Sequence, residues 1–347
     1  MAHHIITGDS TADLETYLIT GAFGHIGSYI VEELIKTKND IQIVCVDNFY
    51  NANIDNLKNS YNLVQDKNIK IHDVRIDITD ARLMRDTFSR YKPDYVFHCA
   101  SYLTLDSKEY KSRSIEVNVY GTTLLFELCL EYQVKKIVYS SSASVYGNPK
   151  LFPTKEDHPF DDCALLYGAS KVAAEYIAKS FIEEEDLSIV GLRYFNVYGP
   201  RQSLSNVYTQ IVPKWIRSIS VGEDITVYGS GQQTMDMIFG SDIGRANVAA
   251  LENKDCVNMF LNVATGIETS VNDLLDIIKE HMIKLIGERN IKIIYDEHDP
   301  NLVQRRCADV TLMRKYLGSH TISVDEGVRT SCRELYDKVD KWRSHNV

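Results

Sequence analysis

Tyr17-Leu18-Ile19-Thr20-Gly21-Ala22-Phe23-Gly24-His25-Ile26-Gly27 is the stretch that decides the fold. A short apolar run passes directly into glycines spaced G-x-x-G-x-x-G. Helical periodicity then begins, with Ile26, Ile30 and Leu34 in one stripe and Val31 and Ile35 widening it. Strand, glycine turn and helix in that order bring bare backbone N–H groups to a helix N-terminus, where a pyrophosphate is stabilised. The glycine pattern alone is a weak signal. A second apolar strand, Ile41 to Val46, ends at Asp47, 20 residues after Gly27. A carboxylate there accepts hydrogen bonds from an adenosine ribose and repels a 2′-phosphate, so NAD rather than NADP is the expected cofactor. A strand-end acid is often merely solvated; with the glycine turn in register, ribose binding is the better reading.

Working outward, the alternation continues. Ile69-Lys70-Ile71 and Val74-Arg75-Ile76 lead to Asp77-Ile78-Thr79-Asp80, a strand end running into a helix cap. Tyr95 to Ala100 is near-continuously apolar, as a buried parallel strand is. A helix is expected around Ile115 to Tyr132, a strand over Lys136 to Tyr139, a helix from Tyr167 to about Glu184 and a strand over Ser188 to Leu192. These units predict an α/β protein built on a Rossmann-type doubly wound parallel sheet, with ligands at the strands' carboxyl ends. His98 lies at such an end but reads as a satisfied core histidine.

After Arg193 the pattern loosens. Tyr194 to Gln202 is aromatic and turn-rich and reads as a loop lining a ligand cleft. Helix Ile211 to Ser220, segment Ile225 to Tyr228 and Gly229-Ser230-Gly231 belong to a smaller C-terminal α/β substrate-binding lobe. A helix from about Ser241 and strand Met259 to Val263 return to the sheet. Asn272 to Ile286 is an amphipathic helix with Leu274, Ile277, Ile278 and Leu285 on its apolar side. Ile291 to Tyr295 is a short strand, and the tail from Val324 is helical. The expected division is a polar leader over 1–16, a cofactor domain over 17–192 plus about 237–265, and a substrate lobe over 193–236 plus about 266–347.

The chemistry lies in Ser140-Ser141-Ser142-Ala143-Ser144-Val145-Tyr146-Gly147 and Tyr167-Gly168-Ala169-Ser170-Lys171. A tyrosine four residues before a lysine on a helix puts both side chains on one face. Phenol ionises near ~10 when unperturbed; a nearby ammonium and a positive nicotinamide ring bring that down. The serine run follows an apolar strand, so a hydroxyl can stand beside the tyrosine. Such a pair takes a proton from an alcohol or returns one. Tyr-x-x-x-Lys alone is commonly an exposed helical pair; its company changes the reading.

The 347 residues are 44% hydrophobic, enough for a large core and two lobes. A net charge of −10 argues against a nucleic-acid or anionic-membrane partner. No apolar run approaches the roughly 20 residues of a bilayer span. Seven scattered cysteines without a C-x-x-C pair read as reduced thiols in a cytoplasmic protein, and no metal site is expected.

Together these landmarks resemble the extended short-chain dehydrogenase/reductase superfamily, and within it the nucleotide-sugar 4-epimerases of the UDP-glucose and UDP-N-acetylglucosamine type. The matching features are Gly21/Gly24/Gly27, Asp47, Asp77-Ile78, His98-Cys99-Ala100, Asn118 to Thr122, Ser140 to Gly147, Tyr167/Lys171 and Arg193 to Gln202; the 25-residue interval from Ser142 to Tyr167 fits too. The resemblance implies Ser142, Tyr167 and Lys171 as the catalytic set, with Tyr167 as base and Lys171 on the nicotinamide ribose. It implies a cofactor site of Gly21, Gly24, His25, Ile26, Gly27, Asp47, Asn48, Asp77, Ile78, Cys99, Ala100, Asn118, Tyr167 and Lys171, with Asp77 and Ile78 bordering the adenine. The substrate, a nucleotide-diphosphate sugar, would meet Ser142, Tyr167, Asn196, Arg201 and Arg306. The implied reaction inverts C4 of a hexose through a 4-keto intermediate. A homodimer would form through a four-helix bundle drawn from Ile115–Tyr132 and Tyr167–Glu184.

Two family arginines that clamp the diphosphate are replaced, at Met235 and Asp299. Arg201, Arg305 or Arg306 are the candidates to compensate, and Arg305-Arg306 reads equally as a solvated pair or a clamp. The rival readings are a 4,6-dehydratase or decarboxylase, which needs a carboxylate where Ala143-Ser144 stand, and a non-catalytic NAD-binding protein.

Overall fold

The computed structural model describes residues 14–160, 163, 165–203, 210–296 and 303–345, so the leader through residue 13 and Asp299 lie outside the described residues. Its strands are β1 (Glu15–Thr20), β2 (Ile41–Asp47), β3 (Ile69–Arg75), β4 (Tyr95–His98), β5 (Lys136–Ser142), β6 (Ile189–Tyr194), β7 (Asn196–Tyr198), β8 (Ile225–Tyr228), β9 (Thr234–Phe239), β10 (Met259–Val263), β11 (Glu268–Ser270) and β12 (Ile293–Asp296). Its helices are α1 (His25–Thr37), α2 (Lys58–Asn62), α3 (Ala81–Tyr91), α4 (Thr104–Glu109), α5 (Lys111–Ile115), α6 (Thr122–Glu131), α7 (Leu166–Glu185), α8 (Ile211–Val221), α9 (Gly240–Glu252), α10 (Val271–Ile286), α11 (Thr311–Tyr316) and α12 (Val324–His345).

Seven strands form a parallel sheet in the order β10-β6-β5-β4-β1-β2-β3. Central strands are apolar on both faces because helices cover both: Leu18, Ile19, Val96, Phe97, Ile137 and Val138 are fully buried. Helices α1 and α9 share one covering core, and α3, α6 and α7 the other. Chain order reverses between β1 and β4, the switch point at which such sheets hold ligands.

A second lobe contains the three-stranded sheet β11-β9-β7 and the pair β12-β8. Its core packs Trp215, Ile216, Leu274, Ile278, Val328 and Leu335 from α8, α10 and α12. Among the described residues no helix is long and apolar enough to cross a membrane, and no disulfide joins the cysteines.

Several local expectations are revised. The segments at 69–71 and 74–76 are one strand, because every residue from Ile69 to Arg75 pairs with β2 in register. The helix expected over Ile115–Tyr132 is interrupted by a π-helical turn at Glu116–Gly121. Asn196–Tyr198 is not loop but a strand paired with β9. In α10 the buried stripe ends at Met282, leaving Leu285 exposed in the last turn. Leu124, Leu125 and Leu128, on one of the helices expected to form a dimer bundle, are buried in the chain's own core, whereas Tyr176 is 60% exposed.

Candidate active site

A cavity of about 600 Å³ opens at the switch point. Its floor is the glycine turn. Gly21 has φ +67°, and a Cβ there would lie 2.9 Å from the Ala100 nitrogen; a Cβ on Gly27 would lie 2.2 Å from the Gly21 carbonyl oxygen. Both collisions are with backbone, so only glycine lets β1, β4 and α1 approach this closely. Gly24 caps α1 without a side-chain bond, which leaves the helix's first N–H groups bare toward the cavity, beside His25 and Ile26.

Asp47 stands at the end of β2. Its carboxylate accepts from the Phe23 N–H at 3.0 Å and the Phe49 N–H at 2.9 Å. Burial raises its pKa, opposed by these N–H groups and that of Asn48. Each oxygen keeps a further lone pair, and the residue lines the cavity. Asn48 donates to Asp77 at 2.8 Å. Burial pushes the Asp77 pKa up, but the Thr79 N–H and hydroxyl, Asn48 and the Arg113 guanidinium outweigh it and hold the carboxyl below its ordinary range. Ile78 borders the same wall.

Beneath Cys99 and Ala100, whose N–H groups both donate to the Thr20 hydroxyl at 3.2 Å, lies His98. Its Nε2 meets Thr122 Oγ1 at 2.9 Å, and that hydroxyl donates to the Asn118 carbonyl. Nε2 therefore carries the proton, and Nδ1 accepts from Thr20 Oγ1 at 2.7 Å. Burial and the Lys171 charge lower its pKa to about 3. His98 is the satisfied core histidine that the sequence suggested. Asn118, on the π-helical turn, does not line the cavity. Its Oδ1 accepts the Tyr102 N–H at 2.8 Å and its Nδ2 donates to the Tyr102 carbonyl and Ser170, tying the cavity wall to α7.

Opposite the glycine turn, β5 ends at Ser142. Its hydroxyl accepts from the Ser144 N–H and donates to the Ser144 hydroxyl, each at 3.1 Å. Tyr167, in the first turn of α7, lines the cavity, as Ser142 does. Burial raises its pKa, while the Ser142 hydroxyl and the Arg306 charge pull it down. Lys171 sits one turn on, beneath the cavity surface. Its Nζ donates to the Ser140 carbonyl at 2.9 Å and lies 5.8 Å from the centre of the Tyr167 ring. Burial lowers its pKa to about 8, with Cys99 and Glu175 opposing. This trio can move a proton on and off a hydroxyl placed between Ser142 and Tyr167.

One group escaped the sequence reading. Glu175 continues the Tyr167/Lys171 face of α7 and holds Arg193 of β6 through two bonds, of 2.9 and 2.7 Å, while accepting from the Ser141 hydroxyl at 2.5 Å. Arg193 also donates to Tyr146 at 2.7 Å, and Tyr146 to Asn262 at 2.7 Å. All are buried directly behind the serine run. The usable signal was the i, i+8 spacing from Tyr167.

Asn196, Met235, Met237, Arg201 and Arg306 also line the cavity. Arg201 pairs with Glu32 of α1 and stacks 4.1 Å over the Tyr29 ring, so its charge is already compensated. The Arg305-Arg306 pair divides. Arg305 binds Glu268 at 2.5 Å and stacks on Phe152, away from the cavity; Arg306 faces in. Among the described residues no group of three or more His, Cys, Asp or Glu side chains is arranged to hold a metal ion.

A side-chain-free turn over the N-terminus of α1, with a carboxylate at the end of the next strand, fits a dinucleotide, and fold and cleft together define an enzyme that uses one. The chain belongs to the NAD dependent epimerase/dehydratase family, whose model matches residues 17–264, and NAD is its cofactor. It is closely related to nucleotide-sugar 4-epimerases of the extended short-chain dehydrogenase/reductase superfamily. It is 30% identical to a UDP-glucose 4-epimerase of Drosophila melanogaster, over 95% of this chain and 97% of that protein. It is 31% identical to a UDP-N-acetyl-alpha-D-glucosaminuronate decarboxylase of Bacillus cytotoxicus, over 90% and 95%. A solved UDP-glucose 4-epimerase with UDP-glucose, from Thermotoga maritima, superposes with a TM-score of 0.83 at 28% identity, covering 93% of this chain and 99% of that one.

Proposed function

We propose that the protein inverts C4 of a nucleotide-diphosphate hexose, with Tyr167 as the base. The observation that carries this reading is that Tyr167 and Ser142 line one cavity, with the Lys171 Nζ 5.8 Å from the centre of the Tyr167 ring. With a pKa of about 8, Lys171 is mostly charged at neutral pH and favours the phenolate. Ser142 holds the reacting oxygen, and Tyr167 takes its proton and returns it. Lys171 and Asp47 hold the two riboses of the cofactor, Asn118 braces the wall beside it, and Asn196 and Arg306 meet the substrate. NAD supplies the hydride acceptor and donor for C4.

A dehydratase or decarboxylase reading has a relative in its favour, but Ala143 and Ser144 offer no acid. Among the described residues the acids lining the cavity, Asp47, Asp77 and Asp106, are bonded to backbone or Arg113 at the cofactor end. We assign residues 17–192 with about 237–265 to the cofactor and 193–236 with about 266–347 to the substrate. We also propose a homodimer through α6 and α7, for which the exposed Tyr176 speaks; a monomer by light scattering at micromolar concentration would refute it. For the reaction, the purified protein is incubated with UDP-, dTDP-, GDP- and CDP-sugars, neutral and acidic, and the products are read by NMR. A C4 epimer is expected; a 4-keto-6-deoxy sugar, a decarboxylated sugar or no turnover would overturn the reading.

A further inference from the structure

Tyr50 and Tyr102 stack against each other in the cavity wall, with ring centres 4.7 Å apart and planes 14° apart. Tyr50 belongs to the loop after β2 and Tyr102 to the loop after β4. In the sheet β1 lies between β2 and β4, so these loops stand on either side of the glycine turn that ends β1. The aromatic pair therefore spans the groove in which a dinucleotide lies. Its two halves are held differently. Tyr102 is fixed: its backbone N–H and carbonyl are both bonded to Asn118, and its ring is buried. Tyr50 is 49% exposed, and its hydroxyl donates to Asp106 across a long 3.4 Å. The chain turns sharply to present it. Phe49 has φ 59°, in the left-handed region that a bulky residue rarely adopts. Three contacts keep it there: its N–H bond to Asp47 at 2.9 Å, its packing on the Phe23 ring of the glycine turn, and the Arg75 guanidinium 5.4 Å from its ring. Strain of this kind persists only where neighbours over-determine it, and it clusters at segments that clamp ligands.

We infer that Tyr50 and Tyr102 form a clasp across the cofactor groove, which has to open each time NAD enters or leaves. The stack joins two parts of this chain to each other and not to the ligand. It is a barrier to exchange, and it leaves the cofactor's own contacts at the glycine turn and Asp47 as they are. Tyr50 is the half that moves. Opening it breaks one ring contact and one long hydrogen bond, and its exposed position gives the ring somewhere to go. Tyr102 stays with the wall that Asn118 braces. An aromatic pair of this geometry favours the closed form about 2- to 10-fold. The inference concerns the cofactor and holds whichever reaction the site performs.

The test uses the protein purified with its NAD and mixed with a large excess of isotopically labelled NAD. Samples are desalted at intervals and denatured, and the released nucleotide is read by mass spectrometry. Y50A should exchange its NAD about 2- to 10-fold faster than wild type while melting close to the wild-type temperature. Y50F keeps the ring and should exchange at close to the wild-type rate. Y102L removes the other half of the same pair, so Y50A/Y102L should exchange no faster than Y50A. The clasp is overturned if Y50A exchanges at the wild-type rate or if Y50F is as fast as Y50A. It is equally overturned if the two single changes multiply in the double variant, since each ring would then touch the cofactor by itself. A folded Y50A protein that emerges from purification without NAD also overturns it, because the ring would then supply affinity and not a barrier. Should Y102L not fold, Y50A and Y50F decide alone.

Discussion

Asp47→Asn tests the cofactor end and its consequences can be worked through. The carboxylate serves two backbone donors, the Phe23 N–H at 3.0 Å and the Phe49 N–H at 2.9 Å. An asparagine of the same shape offers one oxygen, and its amide group must face the other N–H, donor to donor. Leaving one buried donor unmet costs about 1–3 kcal/mol. For a chain of this length that lowers the melting temperature by roughly 1–4 °C. On the ligand side, an acceptor for the adenosine ribose is lost, worth about 10-fold in NAD affinity. A carboxylate about 4 Å from a 2′-phosphate repels it by ~4 kcal/mol per unit charge at an effective dielectric constant near 20. Removing even a third of that raises NADP affinity about 10-fold. The preference for NAD over NADP should therefore fall by about 100-fold. Protein stripped of cofactor, titrated with each dinucleotide while intrinsic fluorescence is followed, reads the ratio directly. A folded variant with unchanged preference would refute the placement of the ribose at Asp47.

Glu175→Gln leaves the Arg193 guanidinium buried without its partner, a loss of about 3–5 kcal/mol. Denaturant unfolding should show it, and a loss under 1 kcal/mol would mean that the cluster behind the serines does not matter to stability. His98 makes stability fall with acid. Its pKa is about 3 when folded, against 6.5 for the free side chain, so the unfolded chain takes up the proton first as pH drops. Its contribution is whole above pH 6.5 and is lost between there and about 3, with a slope up to about 1.4 kcal/mol per pH unit. Unfolding free energies at pH 7 and pH 5 that differ by nothing would contradict this.

What was legible in the sequence follows from which signals are local. The glycine turn, Asp47 and the two-sided apolar strands are properties of short segments, and they fixed the sheet and its switch point. Tyr167 and Lys171 were legible because a helix turns i, i+4 spacing into adjacency. Arg193 and Glu175 were not paired in advance, since they meet only when β6 lies beside α7. The strand at Asn196–Tyr198 is three residues long, too short for a period to show, and exists because β9 comes to pair with it. The fate of Arg305 and Arg306 was left open by composition. A bridge between Thr234 and Arg305 decides it, turning one side chain to Glu268 and the other into the cavity. The π-helical turn at Glu116–Gly121 has no apolar period that distinguishes it from an α-helix.

Tyr167→Phe tests the proposed base most directly. The change removes the ionisable oxygen and keeps the ring, so folding and bound NAD should be retained. Release of the nucleotide from denatured protein and a thermal melt check both. Turnover of the nucleotide-hexose that the wild type epimerises should fall ~10²–10⁴-fold, the usual worth of a general base. Ser142→Ala should cost less, because it removes one hydrogen bond to the reacting oxygen and leaves the proton acceptor in place. A folded, NAD-loaded Tyr167→Phe protein that inverts C4 at close to the wild-type rate would contradict the account, because the base would then lie elsewhere in the cleft.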